Sequence, residues 1–96
     1  MKIVEAVEEI STLDRSITIC ARRPWTGEAE CVLITLDRGV TVPKATTAAG
    51  FEYFLDVHVI LEVLQVFGKR EPTADEKLRL ILFYAENDAY PDWVYK

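Results

Sequence analysis

The stretch that most restricts this chain's fold is residues 51–95, FEYFLDVHVILEVLQVFGKREPTADEKLRLILFYAENDAYPDWVY. Residues 51–55 alternate in a strand-like way, which places Phe51, Tyr53 and Leu55 on one face. Asp56 follows as a helix N-cap, its carboxylate positioned to accept a backbone N–H of the first turn. The spacing of Val57, Ile60, Leu61, Leu64 and Phe67 then predicts a helix over residues 57–67, with Val59, Val63 and Val66 widening the apolar stripe. Gly68 is the stop, and Lys69 and Arg70 suit the last carbonyls. After Pro72, the residues Thr73-Ala74-Asp75-Glu76 spell a capping box. A second helix is expected over residues 74–86, with Leu78, Ile81, Leu82 and Ala85 as its core stripe and Leu80, Phe83 and Tyr84 beside it. Asn87 suits the left-handed conformation that ends a helix. Two helices this apolar need a common surface to cover.

The first half supplies that surface. Residues 2–10 read as a short helix with Ile3, Val4, Val7 and Ile10 on one face and Glu5, Glu8 and Glu9 opposite. Residues 16–21 are a strand, Ile17 and Ile19 alternating with Thr18 and Cys20. A loop marked by Pro24 and Gly27 follows. The nearly continuous apolar run CVLITL over residues 31–36 predicts a central or two-sided strand. Asp37-Arg38-Gly39 is turn chemistry, and Val40-Thr41-Val42 is a candidate short strand ended by Pro43. Residues 44–49 predict a loop or one helical turn closed by Gly50. The expected fold is α+β. It has an N-terminal helix, a small antiparallel sheet of three to four strands, and two C-terminal helices packed on one face.

A chain of 96 residues is one domain. Its formal charge of −5 repels a phosphate backbone, and its longest basic runs are Arg22-Arg23 and Lys69-Arg70. Nucleic acid and anionic membranes are therefore disfavoured as partners, while a basic protein is electrostatically allowed. No apolar run reaches transmembrane length, and three glutamates stand among the first ten residues where a secretory signal would carry a positive and then an apolar region. The expected location is the cytoplasm. Cys20 and Cys31 fit it: their spacing matches neither a zinc site nor a redox pair, and both lie in apolar runs as small hydrophobes.

Chemistry is sparse. His58 has only Glu62 near it at ligand spacing, and one such pair makes no metal site. Ser11 and Ser16 sit in no nucleophile elbow, and the four glycines are isolated, so no phosphate-cradling loop exists. The carboxylate pairs Glu8-Glu9 and Asp75-Glu76 are explained by solvation and by helix first turns. The reading is a non-enzyme with no cofactor and no metal. Two aromatic groups remain. Trp25 follows Arg22-Arg23-Pro24 and either folds over the core or is presented to a partner. The tail gathers Tyr84, Glu86, Asp88, Tyr90, Asp92, Trp93 and Tyr95, an acidic aromatic set suited to a basic protein surface. Core closure by Tyr90 and Trp93 is the competing account of the same residues.

Three segments carry a resemblance. They are Pro24–Thr26 followed by the strand ending at Asp37, then GFEYFLDV from Gly50, and then Pro72-Thr73 with Glu76 leading to FYAENDAY. In this order they resemble small bacterial immunity proteins of polymorphic-toxin and contact-dependent inhibition systems. That resemblance implies a cytoplasmic binding protein that neutralises one cognate toxin and carries no catalytic residues. The contact residues expected on this reading are Glu86, Asp88, Asp92 and Trp93, with Trp25 as an outlying candidate. The helix over residues 57–67 is more apolar than the resemblance leads one to expect, which suggests either a buried helix or a homodimer surface. A phage- or plasmid-borne inhibitor or regulatory adaptor with a different target fits the same residues.

Overall fold

The computed structural model describes residues 1–35 and 42–95. The fold is α+β, as the sequence predicts. Helix α1 (Ile3–Glu8) continues into a 3₁₀ turn at Ile10–Thr12, and strands β1 (Ile17–Ala21) and β2 (Cys31–Thr35) follow. Then come α2 (Lys44–Ala48), β3 (Glu52–Asp56), α3 (Val57–Leu64) with a 3₁₀ turn at Gln65–Phe67, α4 (Ala74–Asn87), and a last 3₁₀ turn at Asp92–Tyr95. Among the described residues the strands form one antiparallel sheet in the order β2-β1-β3.

The central strand is therefore β1, not residues 31–36. Register explains how β1 can alternate and yet be buried from Thr18 to Ala21. Directly paired residues share a face, so Ile19 with Leu33 and Ala21 with Cys31 point one way. Thr18 with Ile34 and Cys20 with Val32 point the other way. Helices α1, α3 and α4 cover the first face, whose core includes Ile3, Ile19, Phe54, Ile60, Leu80 and Ile81. The two cysteines consequently lie on neighbouring strands but on opposite faces, and both are buried free thiols. Burial pushes both thiols above their usual range, so they are poor nucleophiles.

Strand β3 departs from simple alternation. The pairing of β1 with β3 shifts between Ile19 and Cys20: Ile19 faces Leu55, Cys20 faces Tyr53, and Phe54 is the extra residue. Phe51, Phe54 and Leu55 are all buried while Tyr53 is 43% exposed, which removes Tyr53 from the core face assigned to it by period two. Asp56 does sit at the N-cap of α3, yet its carboxylate makes no cap bond. It accepts instead from the Thr18 hydroxyl at 2.5 Å and the Tyr53 hydroxyl at 3.1 Å. Thr18 is 2% exposed, so a buried hydroxyl needing an acceptor takes the carboxylate across the strand pair.

The helices obey their caps more closely than their stripes. Thr73 Oγ1 accepts from the Glu76 N–H at 3.1 Å, and Glu76 Oε1 accepts from the Thr73 N–H at 3.0 Å. That backbone bond, with Arg70 nearby, holds the Glu76 carboxyl below its usual value. Thr73→Ala is expected to cost about 1 kcal/mol in chemical denaturation. Because the folded value of Glu76 lies below the unfolded one, its contribution is complete above pH 4.5 and is lost as pH falls through the folded value. The difference between wild type and Glu76→Gln should shrink over that acid range. Gly68 ends α3's last turn at φ +59°, a region that glycine reaches without strain.

The stripes are rotated from their predicted positions. In α3 the fully buried residues are Val57, Ile60 and Val63, while Leu61 and Leu64 are half-buried. In α4 they are Leu80 and Ile81. A helix apolar on most sides does not fix its own rotation, which the sheet beneath it decides. Helix α4 also runs one residue past expectation: the left-handed residue is Asp88 at φ 51°, and the Asn87 side chain donates to the Phe83 carbonyl. The candidate turn at residues 37–39 lies outside the described residues, as do Val40 and Thr41; Val42 is described and belongs to no strand.

Candidate functional site

The candidate contact residues lie where α4 ends and the chain turns back. The 3₁₀ turn Asp92–Tyr95 inserts Val94 into the core. Trp93 packs half-buried against Phe67, ring centroids 6.4 Å apart, with the Arg79 guanidinium 5.0 Å from its ring centre. Trp93 is thus largely a tail anchor. The tail, too short for an α-helix, ties itself down with this turn. Tyr90 and Tyr95 remain exposed, at 37% and 69%. Tyr84, Tyr90 and Tyr95 form a row with successive centroid separations of 5.5 and 6.5 Å.

Trp25 lies over the core. Its ring meets Phe54 edge-on at 5.0 Å, and its indole N–H donates to the Ala21 carbonyl at 3.3 Å. The Arg23 guanidinium stacks on it at 3.8 Å. The same Arg23 pairs with Glu86 at 2.8 Å and reaches Glu52 at 3.5 Å. Glu86 is therefore held by a cation of its own chain. These pairs are solvated and contribute little to stability. Asp88 and Asp92 are exposed, and among the described residues neither has a cationic partner.

A pattern emerges from the cations. Arg22 stacks on Phe51, Arg23 on Trp25, Arg70 on Phe67 and Arg79 on Trp93. Four arginines thus cover four rings, those of Phe51, Trp25, Phe67 and Trp93. Among the described residues no cation lies over Tyr53, Tyr84, Tyr90 or Tyr95.

Tyr84 also lines a cleft of about 360 Å³ between β3 and the end of α4, together with Trp25, Tyr53, Phe54, Val59 and Asp88 among others. Burial and the negative charge of Asp56 push the Tyr53 phenol up to about 12. Burial and Asp88 raise Tyr84 too, so both phenols stay neutral at physiological pH. Sequence spacing alone does not mark Tyr53 and Val59 as site residues. Their signal was hidden because a bulge turned Tyr53 outward and because the cleft joins segments distant in sequence.

A second groove, about 540 Å³, runs between α1, α3 and α4 over Val4, Val7, Ile10, Leu61, Leu64 and Leu78, with Glu8, Asp75 and Lys77 also lining it. Much of the apolar excess of α3 is internal, and Leu61 and Leu64, half-buried, are the α3 residues that line this groove. His58 is exposed. Among the described residues no three His, Cys, Asp or Glu side chains gather closely enough to hold a metal ion, and no helix is long and apolar enough to cross a membrane.

A family model described as a domain of unknown function, DUF7716, matches residues 1–93. The chain belongs to that family. No curated protein and no solved structure matches it. The DUF7716 span takes in every cleft residue named above together with Asp92 and Trp93, and ends before Val94 and Tyr95.

Proposed function

We propose that this protein is a non-catalytic binding protein whose C-terminal face engages a basic protein, and that it acts as an immunity protein occluding a cognate toxin domain. One observation carries the reading: half-buried Tyr84 and exposed Tyr90 and Tyr95 form a row in the same segment as exposed Asp88 and Asp92, and among the described residues no cation neutralises those carboxylates. Tyrosines give binding energy at small entropic cost, and unpaired acids speed encounter with a basic surface. The sequence resemblance to immunity proteins supplies the toxin part of the proposal.

The test is co-expression with the product of the adjacent gene. The expected result is that the neighbour alone arrests growth, that this protein restores growth, and that the two co-purify. Neutralising Asp88 and reversing Asp92 (Asp88→Asn with Asp92→Lys) should lower affinity at least tenfold, mainly at low salt. A neighbour that is neither toxic nor bound rejects the immunity reading. A neighbour that is bound but harmless favours instead an inhibitor or adaptor with a non-toxin target.

A further inference from the structure

We propose that the cleft between β3 and α4 is a receptor for one lysine side chain of the partner, taken up between Tyr53 and Tyr84 with its ammonium at Asp88. The proposal rests on the protein-binding reading above and names the chemistry of its central contact. The cleft is walled by aromatic rings and has one exposed carboxylate at the end of α4. None of its lining residues is basic. An alkylammonium is attracted to the faces of aromatic rings, most strongly where water is partly excluded. Its methylene stem suits the apolar part of such a cleft, here Phe54 and Val59.

The chain shows the same chemistry in intramolecular form. Arg23 lies on Trp25, one wall of this cleft, and anchors its charge on Glu86 and Glu52. Tyr53 and Tyr84 with Asp88 repeat the elements, ring and carboxylate, while among the described residues the cation is missing. Lysine is the occupant the cleft suits because its flexible four-carbon stem can pass the apolar Phe54 and Val59 and deliver a compact ammonium to Asp88, the one carboxylate among the lining residues.

The test is an NMR titration of the intact protein with Nα-acetyl-lysine-N-methylamide, using the uncharged norleucine analogue as control. Saturable shifts are expected at the Trp25 indole N–H and at the amides of Tyr53 and Asp88, with the Trp93 indole unmoved. The lysine probe should bind about tenfold more tightly than the norleucine probe. Asp88→Asn, which tolerates the same left-handed backbone, should reduce that preference severalfold without unfolding the chain. Equal response to the two probes, no saturation, or shifts centred on the α1–α3–α4 groove would overturn the proposal. The probe is a free small molecule, so a negative outcome leaves the toxin test standing, and a failed toxin test leaves this one standing.

Discussion

Replacing Phe54 by alanine is expected to remove about 3–5 kcal/mol of folding free energy, the loss typical of a large aromatic deleted from a close-packed interior. Phe54 is 2% exposed and is the residue inserted by the β3 irregularity. Its ring joins the core on one side and carries the edge of Trp25 on the other, so deletion opens a cavity and also frees the indole. In a domain whose whole stability is on the order of 5–15 kcal/mol, that loss brings the chain close to unfolding at moderate temperature. Urea denaturation reads it directly. A loss under about 1.5 kcal/mol is the value for volume-conserving swaps and would mean that Phe54 is not a core residue.

Asp56→Ala is the second large effect, expected at about 2–3 kcal/mol. The substitution removes the acceptor of the Thr18 and Tyr53 hydroxyls and leaves the Thr18 hydroxyl buried with no partner. Thr18→Val removes the same bond while leaving no orphaned hydroxyl, so it should cost less than Asp56→Ala. The two changes combined should cost less than their sum, with a coupling of about 1 kcal/mol or more. Strict additivity would show that the carboxylate acts as a local cap and not as the cross-strand acceptor.

These two residues also mark what the sequence could and could not convey. Local signals read well: the Thr73/Glu76 capping box, the Gly68 stop and the turn closed by Gly50 depend only on neighbours a few residues away. Asp56 looked like a cap because caps are local, whereas its actual donor, Thr18, lies 38 residues earlier. The continuous apolar run at residues 31–36 suggested a central strand. The edge position of β2 follows from the pairing order, which a run of hydrophobes does not encode. Tyr53 illustrates the same limit at the site. Period two assigns it inward, and one inserted residue turns it toward a cleft completed by Tyr84 and Asp88. The division of the tail into anchors and exposed rings was likewise unreadable, because Trp93 and Tyr95 differ only in what stands opposite them.

On the proposed function, partner contact is made by the face that joins β3 to the C-terminal turn. Hydrogen exchange on the complex formed with the adjacent gene product tests it most directly. Added protection is expected at Tyr53–Asp56 and from Tyr84 to Tyr95, with α1 and the exposed side of α3 unchanged. Protection confined to the groove over Val4, Leu61, Leu64 and Leu78, with none in the tail, would contradict it.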